Sequence, residues 1–209
     1  MEKVDINRYS LVDLKSLEDD LLPAWLDLYE TSFPPEERVL VSFLLRVIRN
    51  RSRAGALDYS PLAFLSPEQV FIGMCFYQTI PDLSMVYLWY LAMVPEVRNQ
   101  GLGSGFYCII TERTFASNGL LVFEVEKPEE AHSEAERLIR QRRIDFYRRN
   151  GAFLLNGISY LQSVGSHVPP TPMHIMVHLR EPMGAEVIYT VAKELFHDAI
   201  SQTGPLALT

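Results

Sequence analysis

The sequence predicts an α+β fold, in which a mixed, mostly antiparallel sheet carries helices on both faces. Two early segments repeat apolar residues at helical spacing. The middle of the chain alternates aromatic and β-branched runs with short turns, and apolar strands then alternate with helical segments. A chain of 209 residues with 48% apolar side chains can bury one substantial core. With no internal repeat or linker in the sequence, we expect residues 1–209 to form a single domain.

The net charge and the two cysteines indicate which binding partners and which cellular compartment suit this protein. The formal charge of -7 argues against a general nucleic-acid-binding protein, which needs a basic face, and is compatible with a cationic amine substrate. Cys75 and Cys108 lie in apolar segments, which indicates neither a disulfide framework nor a metal cluster and favours the cytoplasm. The sequence shows no signal peptide and no apolar run of about 18 residues, so we expect a soluble protein that does not bind membranes.

The first third of the chain predicts an edge strand and two helices. Residues 4–14 contain the candidate strand. Apolar residues recur at helical spacing from Leu17 to Glu30, and Phe33-Pro34-Pro35 then stops this helix. A second helix follows the prolines, and its continuous apolar stripe consists of Val39, Leu40, Phe43, Leu44, Val47 and Ile48. Packing on a sheet is the simplest role for the pair, although two such helices could also form one wall of a binding site.

Three strands are predicted next, at 61–65, 70–80 and 84–94. The short connections at 66–69 and 81–83 permit only antiparallel neighbours, because a parallel crossover needs about a dozen residues or more. A glycine turn, a helix that ends at Asn118-Gly119 and an apolar strand at 120–125 follow. Strand, helix and strand form a βαβ unit, so the strands at 84–94 and 120–125 should run parallel.

The last part of the chain predicts helices at its two ends and strands between them. A long helix over 127–150 is acidic at its start and basic toward its end, as the helix dipole favours. The remaining strand-like segments are 152–155, 158–163 and 173–179. The loop at 165–172, which contains His167 and Pro169, could border a binding site. A final amphipathic helix is expected at about 185–200, followed by a flexible tail.

The stretch 87–106 is the strongest candidate for a functional element. An apolar strand ends near Pro95, and a short loop then leads to Gly101 and Gly103 at a helix start. Such a junction offers free backbone N–H groups and the positive end of a helix dipole, which suits a phosphate. A P-loop is excluded because no lysine follows the glycines. A dinucleotide fingerprint would need a glycine where Phe106 stands, although Glu124 lies about twenty residues further on, where a ribose-binding acid would sit. An NAD(P)-dependent oxidoreductase therefore stays as an alternative.

Two segments carry a more specific resemblance. LAMVPEVRNQGLGSG (91–105) resembles the pyrophosphate-binding signature of the GNAT superfamily of N-acetyltransferases, and Arg98, Gly101 and Gly103 occupy its key positions. The segment from Asp145 to Phe153 resembles the family's aromatic-tyrosine segment, with Tyr147 at the tyrosine position. The likeness extends over roughly residues 5–180. It implies a GNAT-like acetyltransferase domain that uses acetyl-CoA, and in which two neighbouring parallel strands splay apart around the cofactor.

The resemblance also implies roles for particular residues. The strand end would hold the pantetheine arm and the thioester, and the loop after it would bind the pyrophosphate. These cofactor-binding residues are Leu91, Ala92, Met93, Arg98, Asn99, Gln100, Gly101, Leu102, Gly103 and Ser104. Tyr147 would protonate the departing thiolate, or else would only pack and form a hydrogen bond at the edge of the domain. Glu124 and Glu126 alternate with Val125 and so face one side of a strand, where either could take a proton from the amine, bind it, or be an exposed carboxylate without a role.

Other polar groups are weaker candidates. Many relatives carry an asparagine that holds the pantetheine seven residues before the tyrosine, and Arg140 stands there in this chain. The arginines from 137 to 149 are more typical of a solvated helix face than of a phosphate site. His174 and His178 share one face of a strand, but no third ligand is recognisable, so no metal is expected.

The sequence thus predicts direct transfer of an acetyl group from acetyl-CoA to an amine on a small molecule or a peptide. No covalent enzyme intermediate is expected, because no cysteine or serine stands beside a base. A non-catalytic acyl-CoA-binding sensor on the same fold is the alternative from another class. The oligomeric state stays open, with a homodimer as one option.

Overall fold

The fold was analysed in a computed structural model that describes residues 5–50, 58–166 and 168–209. Its strands are β1 (Ser10–Asp13), β2 (Tyr59–Leu65), β3 (Phe71–Ile80), β4 (Met85–Met93), β5 (Leu120–Glu126), β6 (Ala152–Gln162), β7 (Thr171–Leu179) and β8 (Ile200–Leu208). Its α-helices are α1 (Leu22–Ser32), α2 (Val41–Asn50), α3 (Leu102–Phe115), α4 (Glu134–Arg149) and α5 (Ala185–Phe196). This mixture of elements confirms the predicted α+β class.

The chain divides into two compact units. Unit 1 comprises residues 1–80 and 87–113, and unit 2 comprises 81–86 and 114–209. The expectation that residues 1–209 form a single domain stays a prediction.

In unit 1, β1, β2, β3 and β4 follow one another in the sheet. β2 pairs antiparallel with both β1 and β3, as the short connection between β2 and β3 requires. Helices cover both faces: Trp25 of α1 packs edge-on against Phe76, whereas Phe106 of α3 stacks on Phe64. Phe76 pairs with Pro61 of β2, so these two side chains face the same side of the sheet. Phe64 lies three positions after Pro61 in the same strand and therefore faces the other side, so α1 and α3 pack on opposite faces.

Hydrogen bonds from buried aromatic side chains fix the early helices of unit 1. The indole of Trp25 donates to the Leu62 carbonyl at 2.9 Å. The Tyr29 hydroxyl donates to the carbonyl of Val39 at 2.8 Å, and the amide of Val39 donates to the Tyr90 hydroxyl at 3.1 Å. These bonds satisfy polar groups inside an apolar layer and hold the segment between α1 and α2 against β4.

In unit 2, the strand order is β5, β7, β6, β8, and all three pairs are antiparallel. Tyr147 of α4 packs on Phe123, and Phe196 of α5 packs on Tyr160. Tyr160 also bonds to Glu124, which follows Phe123 in β5 and therefore faces the other side of the sheet. α4 and α5 thus cover opposite faces, as the sequence predicts.

Several element boundaries differ from the expected ones. The segments at 152–155 and 158–163 form one strand, β6, whose register shifts between Asn156 and Ile158, where Gly157 has a φ of +80°. The interruption in the sequence pattern is therefore a bulge. The helix expected from residue 127 begins at Glu134, because the Ser133 hydroxyl accepts a hydrogen bond from the Glu136 amide at 3.2 Å and caps the first turn.

The end of the chain is a strand and not the flexible tail that the sequence predicts. α5 ends at Phe196, and residues 200–208 form β8, which pairs antiparallel with β6. Most side chains of β8 are at least partly exposed, and residues 201–203 are polar and are followed by Gly204-Pro205, so its sequence has no sustained apolar alternation. The backbone hydrogen bonds of an edge strand do not require that alternation, which is why the pattern failed here.

No helix among the described residues is both long enough and apolar enough to cross a bilayer. His167, which the sequence places in a loop beside a binding site, lies outside them.

Candidate active site

The junction between β4 and α3, in unit 1, reverses the chain in a short distance. β4 ends at Met93, a single 3-10 turn covers Pro95–Val97, and α3 begins at Leu102. Asn99 and Gly101 both take left-handed backbone angles, with φ of +62° and +84°. A side chain at Gly101 would be strained by this φ, yet a Cβ there would meet no atom within 4 Å. The glycine is therefore required by the turn and borders open space.

The start of α3 leaves backbone N–H groups available. The amide of Gly105 donates to the carbonyl of Gly101 at 3.2 Å, which closes the first turn. Helix geometry gives the preceding amides, at Gly101, Leu102 and Gly103, no acceptor within the helix. Gly101 is exposed, whereas the Leu102 side chain is buried and anchors the helix start. The positive end of the helix dipole adds to these donors, so the junction has the features of an anion site.

The core explains why the third position of a dinucleotide fingerprint is occupied by Phe106. This side chain is fully buried and stacks on Phe64, with ring centroids 4.0 Å apart. One position earlier, a Cβ on Gly105 would lie 2.8 Å from Cδ1 of Ile6. α3 thus packs closely on the rest of unit 1, because Phe106 stacks on Phe64 and Gly105 has no side chain that would clash with Ile6.

Side chains of the loop fold back onto its own backbone. Arg98 donates through Nε to the Met93 carbonyl at 2.8 Å and through Nη2 to the Ser32 hydroxyl at 3.4 Å. Gln100 donates through Nε2 to the Glu96 carbonyl at 2.9 Å. These bonds brace the loop, a role that the short sequence signature does not reveal. Arg98 stays exposed, and its guanidinium carries five N–H donors in all.

The end of β4 is partly accessible. Leu91 and Met93 are half-buried, and Ala92 between them is buried. A Cβ at Gly73 of β3 would come within 2.8 Å of both the Ala92 carbonyl oxygen and Sδ of Met93. Glycine at this position therefore lets the end of β4 approach β3 closely.

Tyr147, in unit 2, lies on α4 and is 8% exposed. Its ring centroid is 4.3 Å from that of Phe123 and 5.0 Å from that of Phe146. The side chain is therefore buried against aromatic neighbours rather than at the edge of the domain, and a role for its hydroxyl in proton transfer stays a prediction.

Glu124 and Glu126, the two carboxylates of β5, have different surroundings. Glu124 is half-buried and accepts hydrogen bonds from the Tyr160 hydroxyl and from Nε2 of Gln162, both on β6. Glu126 is buried and forms an ion pair with Arg143 of α4. The charge of Glu126 is thus compensated by a guanidinium, whereas Glu124 accepts hydrogen bonds from a phenol and a side-chain amide.

Tyr160 and Gln162 were not singled out from the sequence. They alternate along β6 and reach Glu124 across β7, so that only the sheet order brings the three side chains together. Tyr160 is 4% exposed, and its burial and then the nearby Glu124 raise its pKa far above the usual value. The phenol therefore stays protonated and donates its hydrogen to the carboxylate.

Arg140 occupies the position where relatives carry the asparagine. Its guanidinium donates to the Lys127 carbonyl at 2.8 Å and pairs with Glu136. Arg137 similarly pairs with Glu134 at 2.6 Å, which agrees with a helix face stabilised by its own ion pairs.

The two histidines of β7 have separate neighbours. Nε2 of His174 lies 3.2 Å from Oε1 of Glu129, and His178 packs edge-on against Phe115 at 5.3 Å. Burial lowers the pKa of both imidazoles. Within the described part of the chain, no group of three histidine, cysteine or acidic side chains could hold a metal ion.

Three solved structures resemble this chain over most of its length. A protein assigned to the GNAT family of acetyltransferases, from Bacteroides thetaiotaomicron, has a TM-score of 0.69 and 24% identity, with 90% of this chain and 96% of that chain covered. Spermidine N-acetyltransferase from Vibrio cholerae, in complex with CoA and spermine, has a TM-score of 0.59 and 11% identity, with 83% and 96% covered. The ribosomal-protein-S18-alanine N-acetyltransferase from Escherichia coli has a TM-score of 0.55 and 17% identity, with 84% and 96% covered.

Comparison by sequence adds no relative. No protein-family model matches the chain, and no curated protein matches its sequence. The likeness is therefore one of fold, and the predicted fold is confirmed by it.

Proposed function

Because the chain has the fold of the GNAT acetyltransferases, we propose that it is an acetyl-CoA-dependent N-acetyltransferase that transfers the acetyl group directly to an amine, in the cytoplasm. One observation carries this proposal: in a chain of this fold, the exposed left-handed Gly101 directly precedes the N-terminus of α3. Phosphate binding at a helix start of this kind needs no side-chain charge, because backbone N–H groups and the helix dipole supply the attraction.

In this proposal the β4–α3 junction binds the cofactor. The N–H groups from Gln100 to Ser104 bind the pyrophosphate, and the backbone of Leu91, Ala92 and Met93 holds the pantetheine arm. Arg98 and Asn99 shape the loop, since Arg98 bonds to the Met93 carbonyl and Asn99 takes a left-handed turn. Gly101 admits the phosphates because a Cβ there would project into the open space that they need.

The reaction is a nucleophilic substitution at the thioester. The neutral amine attacks the carbonyl carbon to form a C–N bond, and the C–S bond then breaks. The thiolate of CoA takes a proton from the Tyr147 hydroxyl, and the amine loses a proton to Glu124 or to water. Glu126, which is paired with Arg143, is the third candidate for this step, beside Glu124 and water. Bulk solvent can then reprotonate the tyrosine.

A thermal-shift measurement with CoA tests the cofactor part. A ligand at about 100 times its Kd stabilises the folded state by about 2.7 kcal/mol, which raises Tm by several degrees for a chain of this size. NAD(H) at the same concentration should give no shift, because Phe106 stands where a dinucleotide fingerprint needs its third glycine. The absence of a shift at millimolar CoA would contradict the proposal. Binding of CoA without an acetylated product from any amine would instead favour the non-catalytic sensor.

Replacing Tyr147 with phenylalanine tests the general acid. The ring contacts with Phe123 and Phe146 are kept, so the fold should be maintained. General acid catalysis contributes about 10²–10⁴-fold, so kcat should fall by at least a hundredfold while CoA still raises Tm. Turnover equal to that of the wild type at every pH would remove Tyr147 from the mechanism.

A further inference from the structure

The residues that precede β1 lie at the end of the unit 1 sheet where β4 stops. Through Ser10 and Leu65, the start of β1 pairs with the end of β2, which in turn pairs with the start of β3. Directly after β4, the amide of Val94 donates to the carbonyl of Ile72 at 3.0 Å, again near the start of β3. The strand register thus brings residues 5–9 to the same end of the sheet as the β4–α3 junction.

A single 3-10 turn, Ile6–Arg8, precedes β1. Its first residue follows Asp5, whose Oδ1 accepts hydrogen bonds from the backbone amide and from Nδ2 of Asn7, at 3.2 Å each. The Asp5 carboxylate is thus bonded to its own turn. The amide of Arg8 donates to the Asp5 carbonyl at 3.3 Å, and its side chain is exposed. The turn therefore presents a cation to solvent.

This turn packs on the first turns of α3. Ile6 fills the space that Gly105 leaves, since a Cβ on Gly105 would lie 2.8 Å from Cδ1 and 3.0 Å from Cγ1 of Ile6. The Tyr9 ring meets Phe106 edge-on, with ring centroids 5.8 Å apart. Gly105 lies one helical turn after Gly101, to whose carbonyl its amide donates. The cation of the 3-10 turn therefore stands close to the anion site of the junction.

CoA carries a 3′-phosphate on its ribose in addition to the pyrophosphate. A phosphate monoester has a charge of about -1.5 to -2 at pH 7, whereas backbone amides and a helix dipole supply only partial positive charges. Arg98 already donates to the Met93 carbonyl and the Ser32 hydroxyl. Nη2 of Arg113, in the last turn of α3, lies 3.3 Å from Oδ2 of Asp13. An exposed guanidinium beside the helix start is the complement that the monoester needs.

We propose that Arg8 binds the 3′-phosphate of CoA, and that the protein therefore binds CoA more tightly than 3′-dephospho-CoA. The backbone amides of the junction take the pyrophosphate, and Arg8 takes the monoester beside the next turn of α3. A guanidinium suits this role because its N–H donors form a planar fork that matches two phosphate oxygens. The inference rests on the proposed use of acetyl-CoA. It adds a residue that the sequence analysis did not single out and a basis for cofactor specificity.

The test is isothermal titration calorimetry with CoA and with 3′-dephospho-CoA, at low and at physiological ionic strength. Arg8→Gln removes the charge and keeps a polar side chain, whereas Arg8→Lys keeps the charge without the fork. Lys15→Gln is the matched control, because Lys15 is also exposed but follows the other end of β1. It changes the net charge by the same amount as Arg8→Gln, so it measures the effect of long-range electrostatics.

In the wild type, we expect the Kd for CoA to be lower than that for 3′-dephospho-CoA by about threefold to tenfold at low ionic strength, as for an accessible charge-assisted bond. Salt should reduce this ratio by screening. Arg8→Gln should weaken the binding of CoA alone and bring the ratio close to one, while Arg8→Lys keeps part of it. Lys15→Gln should keep the wild-type ratio. Because Arg8 is exposed, Tm should stay within about a degree or two of the wild type in Arg8→Gln.

The outcomes separate the inference from the function on which it rests. If the wild type binds both ligands with the same Kd, or if the ratio persists in Arg8→Gln, the inference is overturned and the use of CoA stands. Equal weakening of both ligands in Arg8→Gln also overturns it, because the arginine would then bind the pyrophosphate or act at long range. If the wild type binds neither ligand, the inference and the proposed function both fail.

Discussion

Replacing Gly101 with alanine separates the two roles that the structure gives to this residue. The first role is conformational: with φ at +84°, a residue with a Cβ is strained by about 1–2 kcal/mol. The Cβ itself adds no clash, because no atom lies within 4 Å of its position. The free energy of unfolding should therefore fall by about 1–2 kcal/mol, which lowers Tm by about 2–8 °C for a chain of this size.

The second role concerns the cofactor. A methyl group in the open space beside the start of α3 would keep a phosphate away from the backbone amides. Loss of one hydrogen bond to a charged group amounts to about 1.5–3 kcal/mol. The Kd for CoA should therefore rise by about tenfold to a hundredfold. Isothermal titration calorimetry with CoA measures this directly, at a temperature well below the lowered Tm.

A control variant that loses about as much stability as Gly101→Ala separates the effect on CoA binding from the effect on folding. Ile110→Val removes one methylene from a fully buried side chain further along α3, and it should destabilise the fold by about 0.5–1.5 kcal/mol. The helix start is unchanged in this variant, so its Kd for CoA should equal that of the wild type. If Gly101→Ala and Ile110→Val both lose stability and both bind CoA as the wild type does, Gly101 serves only the turn, and the pyrophosphate site is not at this junction.

Three further predictions concern stability. Gln69 lies in the exposed turn between β2 and β3, where its φ is +62°. Gln69→Gly relieves about 1–2 kcal/mol of backbone strain, which exceeds the entropic penalty of glycine in the unfolded chain. A thermal melt should therefore show a Tm that is higher by a few degrees. Burial lowers the folded-state pKa of His174 and His178 below the unfolded value of 6.5, so the unfolded chain binds more protons than the folded chain. The free energy of unfolding should therefore fall as the pH drops below about 6.5. Urea melts at several pH values should show a smaller fall in His178→Phe, and an equal fall in the variant and the wild type would contradict this. Arg143→Ala removes the cation that is paired with the Glu126 carboxylate, whose side chain is 10% exposed, and should lower the free energy of unfolding by about 1–3 kcal/mol. Adding Glu126→Gln to this variant should restore most of the loss, because the unpaired charge is then removed. An unchanged Tm in the single variant would show that the ion pair does not stabilise the fold.

Local patterns in the sequence were enough to predict most helices and strands. The helical spacing around Trp25, the short turn between β2 and β3 and the left-handed Gly101 each depend on residues close together in the chain. Boundaries that depend on a single cap were less accurate. α4 begins at Glu134 because of the Ser133 hydroxyl, and the acidic residues Glu129 and Glu130 before it lie in a separate 3-10 turn.

Features that arise from distant pairing were missed. β8 has no sustained apolar alternation, and its antiparallel pairing with β6 joins residues about 40 to 55 positions apart in the chain. Tyr160 and Gln162 meet Glu124 only because β7 lies between β5 and β6, which no local spacing encodes. The brace from Arg98 to the Met93 carbonyl likewise follows from the fold of the loop rather than from its glycine signature. The candidate site was thus predictable in its backbone part and not in the side chains that support it.

The most direct test of the proposed function is the stoichiometry of acetyl transfer. Purified protein is incubated with acetyl-CoA and a panel of amines, and free thiol and acetylated amine are measured together over time. An acetyltransferase with direct transfer releases one CoA thiol for each amine acetylated, and the rate depends on both substrates. Thiol release that does not depend on any amine, or no acetylated amine across the panel, would contradict the proposal.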